Sequence, residues 1–185
     1  MTTCNAENVF NIAIKGSFDD CQRIVKDMFV DQDFANKINM SGVNSINWAR
    51  IIAQIVYYFF IYYKFNNGKK PIVVSVPTGN FGDIYAGYVA KQMGLNIKEL
   101  IVATNQNNIL QRCIDTGEYK PLDVAESISP SMDIQVASNF ERILFYLCNE
   151  NAEDLKKLMN DLKTKGYFKL SKKVVWKYIS MGISF

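Results

Sequence analysis

An α/β fold with a parallel sheet flanked by helices is what this sequence predicts, and three observations predict it. Two unbroken apolar runs, residues 72–76 and 100–103, have the hydrophobicity of strands covered on both faces. Residues 83–93 between them have helical character, so strand, loop, helix and strand fit into about 33 residues, the size of a βαβ crossover unit. A glycine-bracketed turn, Thr78-Gly79-Asn80-Phe81-Gly82, follows the first of these strands, where open parallel sheets receive ligands.

The remaining elements follow in order along the chain. Residues 9–14 are a short apolar run that reads as a strand, and residues 19–29 place Cys21, Ile24, Val25, Met28 and Phe29 on one helical stripe. Asp19 and Asp20 fall where a helix N-terminus favours negative charge. A polar, partly helical connection over 33–40 leads to Ser41-Gly42. Residues 44–65 form a long helix that is apolar nearly all round, which suits a large core or an interface. Asn66-Asn67-Gly68-Lys69-Lys70-Pro71 is a turn by composition. After strand 72–76, helix 83–93 ends with Gly94 as its C′ residue, and Gly87 within it marks a close packing contact. Residues 105–114, 139–147 and 154–163 read as helices, with Ser129-Pro130-Ser131 as a loop before the second. The basic, aromatic stretch 166–185 holds a last helix from Ser171.

Composition narrows the chemistry. In 185 residues, 49% apolar content and 21% charge are those of a globular domain, and a formal charge of +3, scattered along the chain, is no nucleic-acid footprint. The four cysteines, at 4, 21, 113 and 148, form no C-x-x-C pair, which suits reduced thiols in a cytoplasmic protein better than a disulfide framework. Histidine is absent, which removes Ser-His-Asp and Cys-His nucleophiles and H-E-x-x-H zinc chemistry together. Any reaction must use lysine, carboxylates or a cofactor. No basic n-region precedes a long apolar segment, so a secretory signal is not expected. The uncharged stretch 51–63, closed by Arg50 and Lys64, falls short of the roughly 20 residues needed to span a bilayer.

Two constellations carry ligand chemistry. In the turn, Gly79 and Gly82 let backbone approach an anion, Asn80 adds an amide, and the N–H groups opening the helix at Asp83 complete a phosphate cradle. It is not a Walker A loop, since no Gly-Lys-Ser/Thr follows, and it lacks the third glycine of a dinucleotide fingerprint, so a phosphate monoester is the better ligand. An ordinary tight turn is the plainer reading of the motif alone. The second constellation is Asn44-Ser45-Ile46-Asn47-Trp48-Ala49-Arg50, continued by Gln54. At roughly 100° per residue, Asn47, Arg50 and Gln54 lie within about 60° of one another, a polar stripe on an apolar helix. Arg50 then either pairs with a structural carboxylate or holds a second phosphate or carboxylate group. Thr104-Asn105 reads as a cap, and Ser129 to Asp133 as a turn that could line a site.

At these residues the chain resembles threonine synthase, a pyridoxal-phosphate enzyme that converts O-phosphohomoserine and water to threonine and phosphate. The resemblance runs through Gly16-Ser17-Phe18-Asp19-Asp20-Cys21-Gln22, Val43 to Arg50, Val76 to Leu95, Ala103-Thr104-Asn105, Ser131-Met132-Asp133 and Ser138-Asn139-Phe140-Glu141-Arg142. It continues at Gly166-Tyr167-Phe168-Lys169-Leu170-Ser171 and leaves out the last residues. It implies the tryptophan-synthase-β-like architecture of fold-type II pyridoxal-phosphate enzymes, with residues 1–40 a remnant of the smaller α/β domain and 41–185 part of the larger, cofactor-binding one. It implies that Gly79, Asn80, Phe81, Gly82 and Asp83 hold the cofactor phosphate and that Asn44 and Arg50, supported by Ser45 and Asn47, hold the substrate phosphate. The family's Schiff-base lysine lies in a Ser-Phe-Lys-Asp-like motif upstream of the matching region, and no lysine here has that context. The chain therefore reads as a C-terminal fragment of a lyase, inactive alone, with a complementing N-terminal fragment as the partner that would restore activity. The alternative is a non-catalytic phosphate-binding module that oligomerises through the apolar helix.

Overall fold

The computed structural model describes residues 3–44, 47–66 and 69–185, which divide into two compact units, Met1–Met40 and Ser41–Phe185. In the first unit, α1 (Phe18–Val30) starts on a capping box. The Ser17 side chain accepts from the Asp20 amide at 3.3 Å, while the Asp20 carboxylate accepts from the Ser17 amide at 2.9 Å. Asp31 then caps the short α2 (Gln32–Lys37), which packs against α1. Residues 9–14, read as a strand, form none, and Phe10 and Ile12 are about 80% exposed. A strand exists only with a partner to complete its ladder, and the described residues of this unit contain no other strand.

The second unit is built on the predicted βαβ core. Strand β1 (Ile72–Pro77) leads into α4 (Gly82–Gln92) and then β2 (Ile97–Ala103), and the two strands pair in parallel. The sheet order is β1-β2-β5, where β5 (Ile183–Ser184) adds in parallel to Leu100 and Ile101. Two residues are too few to show a period, so β5 was not legible in the sequence. Gly94 takes a left-handed φ of 101° just beyond α4, as a C′ glycine does.

Before this core lies α3 (Trp48–Asn66), which packs on α4. Its buried face is Ile51, Ile55, Tyr58 and Tyr62, whereas Val56, Tyr57, Phe60 and Tyr63 on the opposite side are exposed. The contact with α4 is close because Gly87 has no side chain: a Cβ there would lie 2.6 Å from Tyr58 Cε1 and 2.9 Å from Leu100 Cδ2. The sequence reading of Gly87 as a packing glycine holds.

The other helices complete the layers: α5 (Ile109–Thr116), α6 (Phe140–Leu147), α7 (Ala152–Lys165) and α8 (Lys172–Ser180). A two-residue antiparallel ladder joins β3 (Glu118–Tyr119) to β4 (Phe168–Lys169). At its centre the Tyr119 ring stacks on Phe168 and Phe140, at 4.8 and 5.5 Å between centroids. Helix α5 begins four residues later than its sequence pattern suggests. Asn105 explains the delay, since its side-chain oxygen accepts from the Asn107 amide at 2.8 Å and its nitrogen donates to Asp133 at 2.7 Å.

Candidate anion site

The turn between β1 and α4 is shaped by its neighbours. Thr78 closes the strand: its amide donates to Ala103 O at 2.8 Å and its hydroxyl to Val76 O at 2.7 Å. The Asn80 carbonyl accepts from the Asn139 amide at 2.9 Å, and the Asn80 side-chain oxygen accepts from the Gly82 amide at 3.0 Å. The carbonyl end of the Asn80 amide, expected to face an anion, thus holds the loop together. The left-handed residue of the turn is Phe81, at φ 68°, not a glycine. Its ring is fully buried and meets Phe140 edge-on at 5.4 Å, so core packing holds a conformation that L side chains rarely adopt. Gly79 is needed for space, since a Cβ there would come within 2.7 Å of Ile134 Cδ1.

Helix α4 starts directly from this turn. The amides of Asp83 and Ile84, in its first turn, have no acceptor within the helix and point toward its N-terminal end. Above them is a cavity of about 430 Å³. It is lined by Thr78, Gly79, Asn80, Phe81, Gly82 and Asp83 from the turn, by Arg50 and Gln54 from α3, by Asn44 from the segment before α3, and by Met132. The two sequence constellations therefore meet in one cavity.

Not every expected residue lines it. Asn47 instead builds the entry to α3: its nitrogen donates to Gly42 O at 2.6 Å and its side-chain oxygen accepts from the Ala49 amide at 2.9 Å. This cap starts the helix at Trp48 rather than at Asn44. Ser45 lies outside the described residues. Arg50 is exposed, and no ion pair involves it among the described residues. The structural carboxylate partner weighed for it is therefore not found at ion-pair distance. Met132 reaches the cavity through the 3-10 turn Pro130–Met132, so of the stretch Ser129 to Asp133, read as a turn that could line a site, Met132 is the residue that lines this one.

Asp133, next along, turns away into a structural cluster. Its carboxylate accepts from Asn105, from Asn107 at 3.0 Å, and from the hydroxyl and amide of Ser127 at 2.6 and 2.9 Å. The Ser127 bonds above all hold its carboxyl below the usual carboxylate range. Asp83 behaves oppositely. Burial pushes its carboxyl up, and the Tyr58 hydroxyl and the Arg50 guanidinium offset this only partly.

The donor set fits a phosphate: a guanidinium with no competing ion pair, the first-turn amides of an 11-residue helix, and backbone made approachable at Gly79 and Gly82. A parallel α/β sheet with such a cavity at the carboxyl end of its first strand is the architecture of a fold-type II pyridoxal-phosphate enzyme. Similarity to known proteins agrees with this class. Threonine synthase of Saccharomyces cerevisiae is 49% identical over 187 residues, which cover 95% of this chain and 36% of the yeast protein. The crystal structure of pyridoxal-phosphate-bound threonine synthase from Brucella melitensis superposes with a TM-score of 0.80 at 50% identity, over 93% of this chain and 37% of that one. The yeast threonine synthase structure gives a TM-score of 0.82 at 44% identity, over 100% of this chain and 38% of its own. No family model matches the chain. Over most of its length the chain is homologous to threonine synthases, and it spans about a third of the length of the curated relatives it matches. No helix among the described residues is long and apolar enough to cross a membrane.

Proposed function

We propose that this chain forms the phosphate-holding part of a threonine synthase, which converts O-phosphohomoserine and water to L-threonine and phosphate with pyridoxal phosphate as cofactor. The observation that carries this reading is that Asn44 and Arg50 line the same cavity as the 79–83 turn. The relatives favour it over a non-catalytic binding module.

Each residue has a physical role in this reading. Gly79 and Gly82 line the cavity beside the amides of Asp83 and Ile84, where the helix dipole favours the negative charge of the cofactor phosphate. Asn80 and Phe81 keep that turn in shape from behind. Arg50 from α3 and Asn44 from the segment before it line the same cavity and hold the substrate phosphate, while Asn47 fixes the start of α3 and so the position of Arg50 one turn on. When bound, the cofactor supplies an electron sink for the bonds that break next to the amino group. Residues 1–40 belong to the smaller α/β domain in this reading and 41–185 to the larger. The lysine that carries the cofactor comes from polypeptide outside these 185 residues.

Incubation of the purified chain with pyridoxal phosphate and O-phosphohomoserine tests this, alone and with a co-expressed polypeptide carrying the Ser-Phe-Lys-Asp-like segment. Threonine and phosphate are expected only from the mixture, and Arg50→Ala in this chain should raise the KM for O-phosphohomoserine. Threonine from the chain alone would refute the need for an outside lysine. A mixture that binds O-phosphohomoserine equally well with and without Arg50 would refute the assignment of the substrate phosphate.

A further inference from the structure

The three-stranded sheet stops at β1. Strand β2 pairs with it on one side, and no strand among the described residues pairs with its other edge. The Ile72 amide donates to Asn96 O and the Thr78 amide to Ala103 O, which fixes the groups that face β2. Because main-chain groups alternate sides along a strand, the amides and carbonyls of Val73 and Ser75 point to the open edge. Both residues are exposed, although Ile72-Val73-Val74-Ser75-Val76 has the sequence of a strand covered on both faces. Native edge strands are blunted by charges or by proline, whereas β1 carries no charge and its proline is its last residue. Helix α3 shows the same lack of cover. Ile52, Val56, Phe60 and Tyr63 lie opposite its buried face and are exposed, with no charge between Arg50 and Lys64, whereas a surface helix carries polar residues there.

We propose that the open edge of β1 is where the polypeptide carrying the Schiff-base lysine adds a strand, parallel to β1 as β2 is, so that the carboxyl end of that strand arrives beside the cavity. The inference rests on the reading of the chain as part of a threonine synthase and adds the surface on which the rest of the enzyme docks. Yeast threonine synthase matches this chain over 36% of its own length, so such an enzyme has ample polypeptide to continue the sheet and cover α3. Position supplies the rest of the argument. Thr78 and the 79–83 turn follow β1 directly and line the cavity, so the carboxyl ends of the strands in this sheet face it. A strand added at this edge lies about 4.8 Å from β1, and a lysine just beyond its carboxyl end enters that cavity within a few residues. The added strand also gives the main-chain groups of Val73 and Ser75 their partners, and such bonds supply affinity without requiring particular side chains.

The test is hydrogen exchange at the Val73 and Ser75 amides of the full 185-residue chain, alone and co-expressed with the polypeptide of yeast threonine synthase that carries the Ser-Phe-Lys-Asp-like segment. In the chain alone both amides should exchange quickly, and in the mixture they should slow at least about tenfold, while those of Val74 and Val76, which face β2, are slow in both. Ser75→Pro removes an edge donor and leaves the bonds to β2 in place, so it should weaken binding of that polypeptide at least about tenfold. Phosphate binding by the Ser75→Pro chain alone should be unchanged. Threonine formed by a mixture in which both amides stay open would overturn the docking surface and leave the threonine synthase reading in place. Protection of both amides in the chain alone would overturn it as well, with a dependence on concentration marking a second copy on the edge and its absence marking residues of this chain. If the two polypeptides neither associate nor form threonine, the threonine synthase reading fails and the docking surface fails with it. Because exchange is read on the unsubstituted chain, it does not depend on how the variant folds.

Discussion

The Tyr58 hydroxyl donates to the Asp83 main-chain carbonyl at 2.8 Å, which ties the middle of α3 to the first turn of α4. The bond joins the two helices that supply the cavity, since Arg50 and Gln54 lie on α3 and Gly82 and Asp83 on α4. Its loss should therefore affect both stability and binding. Tyr58→Phe keeps the ring and removes the donor, and it should cost about 1–2 kcal/mol. Urea unfolding should show a lower midpoint with an unchanged slope. Phosphate affinity should weaken in the folded variant, because Arg50 and the α4 amides are no longer held at a fixed separation.

Gly87→Ala should destabilise the same contact from the other side. Alanine would gain about 1 kcal/mol of helix propensity, but its Cβ would meet Tyr58 at 2.6 Å and Leu100 at 2.9 Å, and overpacking of this kind costs about 1–3 kcal/mol. The ring cannot swing away cheaply while its hydroxyl is tethered, so crowding wins and the net loss should be about 1–2 kcal/mol. The double variant with Tyr58→Phe, whose ring is free to shift, should be less destabilised than the sum of the two singles. Additive losses in thermal or chemical denaturation would show that the tether and the crowding are independent.

What was legible in the sequence had a local cause. The strands read at 72–76 and 100–103, which the structure extends to 72–77 and 97–103, the helix between them and the packing role of Gly87 follow from apolar runs and a lone glycine on a buried helix face. The meeting of Arg50 with the 79–83 turn was legible only as two separate anion-binding patterns, since the pairing of α3 with α4 is a tertiary fact. Three features were not decided by local pattern. The strand expected at 9–14 lacks a ladder partner among the described residues of its unit, β5 is two residues long, and Phe81 holds a left-handed turn that composition would assign to Gly79 or Gly82. In the last case the burial of the ring against Phe140 overrides the local preference.

Asp133 makes stability depend on acid. Its carboxyl is held below its ordinary value by Ser127, Asn105 and Asn107, so the folded state binds its proton less readily than the unfolded chain does. The stabilisation is complete above the ordinary carboxylate range and is lost as pH falls through the depressed value. Thermal melts from neutral pH down to about pH 3 should show a falling midpoint that flattens in Asp133→Asn, which cannot titrate. The variant should also be less stable at neutral pH, because an amide nitrogen facing Asn105, Asn107 and Ser127 sets donor against donor. An unchanged slope would mean that other carboxylates govern the acid limit.

Phe81 allows two opposing effects to be separated by their sign. Removing its buried ring should cost about 3–5 kcal/mol in either Phe81→Ala or Phe81→Gly. The backbone at φ 68° acts differently on the two, since glycine adopts the left-handed region freely and alanine pays a strain of about 1–2 kcal/mol. At an ordinary helical position alanine is the more stable of the pair by about 1 kcal/mol. Here the order should reverse, with Phe81→Gly unfolding at the higher denaturant concentration. Phosphate titration should follow the same order, because the glycine variant keeps the turn that presents the Asp83 and Ile84 amides while the alanine variant is driven toward a negative φ. Alanine above glycine in both measurements would mean that the turn relaxes once the ring is gone, and that contact with Phe140 alone had held it left-handed.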